Sequence, residues 1–487
     1  MRKMELHSKL TLFDVTNLVV GAIIGADIYV ASSFGAGYLG PFSLIVWVIA
    51  GIIAIVIALC FAQCVALLPK VGGPYVYSKE AWGPFAGFLV GWSLWLAEWI
   101  SLAVFPIAFT RYLMFFLPYL DWFSQILVKA IFVCLLMVSN IVGAKAAGRT
   151  NDVLTLAKLA PLIFFSIVGL ISMGLNVSAT VGNFSPFVPL GLGSFGPALV
   201  LIFWAYAGFE ISTIPAGEIE NPGVTIPKAI VLGISIVTVF YLLTNFVLFG
   251  LRPWNLLVAD VAPLATATSV ALGSIPTLAL IGGAIVGAGA LVSVAGSDES
   301  GMIGTSRLGY ALAADGLFPR SFAKIHSRFK TPYMAIIIQS VSALAAAIVG
   351  NLSLLIATSV FLMAISYLAT SAAIFPLRRK NVKAQFSVRG GRLIPVLGAL
   401  FSLYLISQCT IDQIALGLVA FAIGIPVYSF FSPKKEIREL RDALSSREDI
   451  LRRTYQQEER FLAHLLRHVK RIYRRISGKK QAWDASR

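Results

Sequence analysis

Apolar stretches of about 20 residues follow one another along this chain, and nothing else in it so narrows what it can fold into. Hydrocarbon offers no water, so a spanning segment must pair its backbone N–H and C=O groups within its own helix. On that ruler the chain reads as an all-α polytopic membrane protein with about twelve spans. They are expected over 12–33, 42–68, 84–117, 123–143, 153–175, 194–217, 227–250, 273–305, 332–350, 353–376, 393–411 and 413–431. With 58% hydrophobic and only 13% charged residues, the chain carries more apolar surface than a water-soluble globule can hide. No A-x-A-type cleavage site lies near the first span, which begins after Met1–Lys9, so it reads as a retained helix. An inner or plasma membrane is the expected location.

Charge sets the orientation. Arg2, Lys3 and Lys9, Lys70 and Lys79, Lys145 and Arg149, Arg320 to Lys330, and Arg378 to Arg392 fall on alternate loops, while the opposite loops offer little beyond Arg252. The positive-inside rule then puts both termini in the cytoplasm, as an even number of spans requires. Residues 1–432 read as the membrane domain and 433–487 as a different material, with sixteen Lys/Arg against eight Asp/Glu. Ile437, Leu440, Leu444, Leu451, Tyr455, Leu462, Leu465, Val469, Ile472 and Ile476 recur at helical spacing there. A basic amphipathic helix of this kind lies along anionic headgroups or pairs with another helix; it has no pattern for reading nucleic acid.

The residues also exclude function classes. Cys60, Cys64, Cys134 and Cys409 all sit in apolar stretches without a CxxC pair, so neither a disulfide framework nor a metal site is expected. His7, His326, His464 and His468 fall in loops or tail. With no P-loop, catalytic triad or ligand cluster, the chain reads as a non-enzyme without a cofactor.

Two spans carry interruptions. In the first, Gly21-Ala22-Ile23-Ile24-Gly25-Ala26-Asp27 sets two glycines and a carboxylate near mid-membrane; in the sixth, Phe203-Trp204-Ala205-Tyr206-Ala207-Gly208-Phe209-Glu210 repeats the break with another acid. Breaks five spans apart point to a transporter built from inverted repeats that holds its solute where the backbone unwinds. Glycine alone is also explained by close helix packing. The acids weigh against that, because an intramembrane carboxylate is costly unless paired or wet.

Several further motifs stand in order along the chain: Leu68-Pro69-Lys70-Val71-Gly72-Gly73-Pro74-Tyr75, Gly83-Pro84 and Gly91-Trp92, Glu218-Ile219-Glu220-Asn221-Pro222 with Ile226-Pro227, and Ser306-Arg307 with Asp315-Gly316-Leu317-Phe318-Pro319. Through these and the Gly21–Tyr29 stretch, the chain resembles the amino acid/polyamine/organocation superfamily of permeases over nearly all of residues 10–430. The resemblance implies a twelve-helix, five-plus-five inverted repeat with helices 1 and 6 broken and helices 1, 3, 6 and 8 lining the site. Ile24, Gly25, Ala26, Asp27, Phe203, Ala205, Gly208 and Glu210 are then the expected substrate contacts, with Glu98 from helix 3.

One departure shapes the substrate expectation. Where relatives read Gly-Ser/Ala-Gly and offer bare amides to a carboxylate, this chain reads Gly25-Ala26-Asp27. Asp27 is expected to cap the second half-helix itself, which disfavours an anionic group and favours a cationic amine or polyamine. Glu98, Glu210, Asp298 and Glu299 point the same way. Lys158 either snorkels to the surface or, as in proton-coupled relatives, stands where sodium sits and couples transport to protons. Arg307 with Asp315 is expected to pair at the inner mouth. A neutral amino acid permease or exchanger, and a non-transporting solute sensor, are the alternatives.

Overall fold

The computed structural model describes residues 10–68, 72–143, 148–210, 219–380, 384 and 391–432. Chain contacts divide the molecule into two units, Met1–Phe431 and Ser432–Arg487. The amphipathic helix expected over 433–487 lies outside the described residues, as do residues 69–71 and 211–218, which carry parts of two motifs.

In the first unit, the described residues are almost wholly helical. In chain order the helices are α1 (Leu12–Ile23), α2 (Asp27–Leu39), α3 (Ser43–Leu67), α4 (Gly73–Trp82), α5 (Pro84–Leu113), α6 (Trp122–Val142), α7 (Gly148–Leu175), α8 (Val177–Asn183) and α9 (Phe195–Phe203). There follow α10 (Pro222–Leu251), α11 (Trp254–Leu257), α12 (Pro263–Ala271), α13 (Pro276–Ala314), α14 (Tyr333–Val349), α15 (Leu352–Arg379), α16 (Leu393–Ser407) and α17 (Ile411–Phe431). Among the described residues no strand forms; Leu10 and Ile219 make an isolated parallel bridge.

Among the described residues, eight helical stretches are long and apolar enough to cross a bilayer, the longest running through α2 and α3, and four shorter apolar helices accompany them. This is a polytopic membrane protein. On α6, Leu127, Ile131, Leu135, Val138 and Val142 succeed one another every three or four residues and are exposed, forming an apolar stripe on one helix face that only lipid suits. Helix α5 is the opposite case, buried along most of its length between α15 and α13, with α4 and α14 also against it.

The first and sixth expected spans are not continuous helices. Helix α1 stops at Ile23 and α2 starts at Asp27. Helix α9 passes into a 3-10 turn at Trp204–Tyr206, and the chain then bends at Gly208, where φ is +112°. Only glycine adopts that conformation without a steric cost. A β-carbon there would also stand 2.6 Å from the Ala22 carbonyl oxygen, so the two breaks press backbone against backbone.

Candidate functional site

Where α1 stops, its last carbonyls lose their helical partners, and side chains from three other helices supply donors. Lys158 of α7 gives its ammonium to Gly21 O at 3.1 Å and to Ser297 Oγ of α13 at 3.1 Å. Ser297 Oγ in turn donates to Ile24 O at 3.2 Å, and the Tyr241 hydroxyl of α10 donates to Ile23 O at 3.2 Å. The Gly25 and Ala26 amides are left without a partner among the described residues. Lys158 is 5% exposed and its stem runs over Gly296. This geometry excludes the snorkelling alternative: the ammonium joins α7, α1 and α13 inside the protein.

Asp27 does not cap α2. Ala26 already has helical dihedrals and is the N-cap, without a side-chain bond, so Asp27 falls in the first turn. Its carboxylate faces a cavity of about 70 Å3 lined by Asp27, Glu98, Ser101, Phe105, Trp204 and Gly208, with Ser297, Ser300 and Met363 among the others. No basic side chain lines it among the described residues. Trp204 Nε1 donates to Ser101 Oγ at 3.2 Å, and Ser101 Oγ meets Ser359 Oγ at 2.9 Å, so the 3-10 turn after α9, α5 and α15 are tied together at the cavity wall.

Glu210 is buried beside Glu98. The Gly208 amide donates to Glu210 Oε2 at 3.1 Å and the Tyr367 hydroxyl to Oε1 at 3.1 Å.

The remaining expected contacts disperse. Phe203 and Ala205 are buried but do not line the cavity; Phe203 instead packs on the Tyr367 ring, with centroids 6.3 Å apart. Asp298 is fully buried with neither oxygen bonded among the described residues. Glu299 turns to α6 and accepts from Ser139 Oγ at 2.8 Å. Arg307 is exposed, and the expected Arg307–Asp315 pair does not form. Asp315 pairs with Lys79 of α4 at 2.8 Å and accepts from the Tyr75 hydroxyl, because Asp315 ends α13 two helical turns beyond Arg307. On α13, a single turn holds Ser297, Asp298, Glu299 and Ser300, and helical rotation of 100° per residue sends them to different neighbours.

The family described as amino acid permease matches residues 10–431. The chain belongs to that family. The resemblance to the amino acid/polyamine/organocation superfamily is thereby borne out, and the permease is a transport protein, not an enzyme. It is 27% identical to the branched-chain amino acid permease BcaP of Bacillus subtilis over 450 residues, covering 88% of this chain and 94% of that one. With the serine/threonine exchanger SteT of the same organism it shares 28% identity over 447 residues, covering 88% and 98%. With the methylthioribose transporter of that organism it shares 28% over 456 residues, covering 89% and 95%.

Two ion-pair clusters flank the permease's cavity at opposite ends of α5, which at 30 residues is about 45 Å long. At its start stands Lys79–Asp315, behind which Phe318 and Phe322 close on Trp95 with centroids 5.0 and 5.9 Å away. At its end, Arg252 holds Asp260 at 2.5 Å while Arg111 of α5 donates to the Asp260 carbonyl at 3.3 Å. The sequence reading missed this second cluster, as it missed Ser101, Trp204, Ser300 and Tyr367. Hydroxyls within apolar helices were the available signal, but they are too common to single out one face.

Proposed function

We propose that the permease moves small amino-bearing solutes across the cell membrane by alternating access, with a cationic amine or basic amino acid preferred. The observation that carries this reading is the cavity wall: Asp27 and Glu98 face one space and, among the described residues, no basic side chain lines it. A protonated amine gains a partner there, whereas an extra anion meets repulsion. Twelve spans in an inverted repeat, with α1–α2 and α9 as the broken pair, and with both termini in the cytoplasm, complete the reading. The segment 433–487 then rests on anionic headgroups.

Lys158 is the proposed coupling residue. Its ammonium holds the α1 break to α13; loss of its proton removes the charge that strengthens both bonds and loosens the break, which links proton movement to access.

A second reading, transport or exchange of a neutral amino acid, is favoured by one specific observation. The Gly25 and Ala26 amides are unpartnered among the described residues at a helix start, where spare N–H donors attract a carboxylate. BcaP is named for branched-chain amino acids and SteT for serine and threonine. Uptake into proteoliposomes separates the two. Arginine or putrescine accumulating with a proton gradient, and falling with Asp27→Asn, supports the cationic reading. Accumulation of leucine or serine alone, unaffected by Asp27→Asn, overturns it.

A further inference from the structure

A second cavity, of about 300 Å3, lies where α15 ends and α16 is about to begin, lined among the described residues by Phe375, Arg378, Arg379 and Arg392. None of the three arginines is ion-paired among the described residues. The neighbouring Lys380 takes Glu80 at 2.9 Å. A guanidinium keeps its charge at any ordinary pH, so three of them around one space cannot relieve their repulsion by losing protons. An anion relieves it.

The donors are partly fixed in advance. Arg378 Nη2 gives to Gln63 Oε1 at 2.8 Å and to Gly391 O at 3.3 Å, which orients its planar fork and leaves other N–H groups to spend. Gln63 is 3% exposed and its Nε2 has no acceptor among the described residues, so a further donor stands beside that guanidinium. Arg378 and Arg379 form the last turn of a 28-residue apolar helix, the level at which headgroups meet a spanning segment. Phe375, one turn back, supplies an apolar wall. Basic pockets placed between helices at this level suit anionic headgroups, and a guanidinium fork suits the oxygens of a phosphate.

We propose that the cavity lined by Phe375, Arg378, Arg379 and Arg392 is a binding site for a phosphate oxyanion, carried by an anionic phospholipid headgroup or free in solution. Its ligand is distinct from the transported solute, and the site does not depend on the reading of the central cavity. The test uses full-length protein and the Arg379→Gln/Arg392→Gln variant, both positions being exposed and so tolerant of substitution.

Protein released from nanodiscs of equal parts phosphatidylcholine and phosphatidylglycerol is examined by native mass spectrometry for retained lipid. Separately, Tm in detergent is compared in inorganic phosphate and in chloride at matched ionic strength. The unsubstituted protein is expected to retain phosphatidylglycerol selectively, and the variant to bind it at least roughly tenfold more weakly, given charge-assisted hydrogen bonds of this strength. Selective lipid retention without a phosphate effect on Tm identifies the headgroup as the source; a phosphate-raised Tm without lipid selectivity identifies free phosphate. Identical behaviour of protein and variant in both assays, or no response from either, overturns the proposal.

Discussion

Gly208 bends at φ +112° directly against the Ala22 carbonyl, so the second break in the chain is built on the first. Gly208→Ala places a β-carbon 2.6 Å from that oxygen in a backbone conformation that costs of order 1–3 kcal/mol without glycine. The expected outcome is a clear fall in Tm and near-complete loss of uptake. Gly174→Ala, where a β-carbon meets nothing within 4 Å, is the control and leaves both unchanged.

Lys158→Met keeps most of the stem and removes the ammonium. Gly21 O then lacks its donor, at about 1–3 kcal/mol for a buried unsatisfied group, and Asp27 loses its nearby cation. Uptake is expected to fall at least tenfold, and whatever remains to lose its response to a proton gradient. A variant with unaltered gradient dependence removes Lys158 from the coupling role.

Tyr367→Phe deletes the hydroxyl that donates to Glu210 and leaves the ring in its packing with Phe61 and Phe209. A net loss of about 0.5–1.5 kcal/mol is expected in stability. If the Glu98–Glu210 pair handles the proton or the solute, the pH profile of uptake also moves, which a purely structural hydroxyl does not cause. Tm and the pH profile measured together distinguish the two roles.

Asp315 lies outside the spanning segments and titrates with a sign that can be followed. Partial burial raises its pKa, but hydrogen bonds from Lys79 and Tyr75 and the Lys79 charge outweigh that and hold it below the usual 3.8. A depressed carboxyl contributes stability above its unfolded value, and that contribution disappears as pH falls through the folded one. Both partners are more than a third exposed, so the effect on overall stability is small and screened by salt. The expected readout is local: a cysteine-accessibility or fluorescence probe near Phe318 reports loosening below about pH 4, and Asp315→Asn shows it at neutral pH. No difference between Asp315→Asn and the unsubstituted protein at neutral pH argues against a latch.

Much of this permease was legible before any coordinates. Length and apolarity determined a helical membrane protein, because hydrocarbon leaves the backbone no other way to pair its polar groups. The paired interruptions at Gly25 and Gly208 were readable for the same reason: glycine beside a carboxylate in the middle of a span has few explanations other than an unwound backbone. Lys158 was readable as a choice between two fates. Its donation to Gly21 O and Ser297 settled which, through contacts 137 and 139 residues away along the chain.

Side-chain direction was not legible. Asp298 and Glu299 are adjacent in sequence, yet one is buried without a partner among the described residues and the other bonds Ser139, because helical rotation separates neighbours and only packing says what each faces. Asp315 chose Lys79 over Arg307 by the same logic of position in space. The sequence by itself determined which segments enter the bilayer and where two of them break, since those follow from local apolarity and backbone chemistry. Only the tertiary structure decided which acids share a cavity, which cation stands behind the break and which ion pairs flank it, since those depend on helices distant in sequence meeting at one depth.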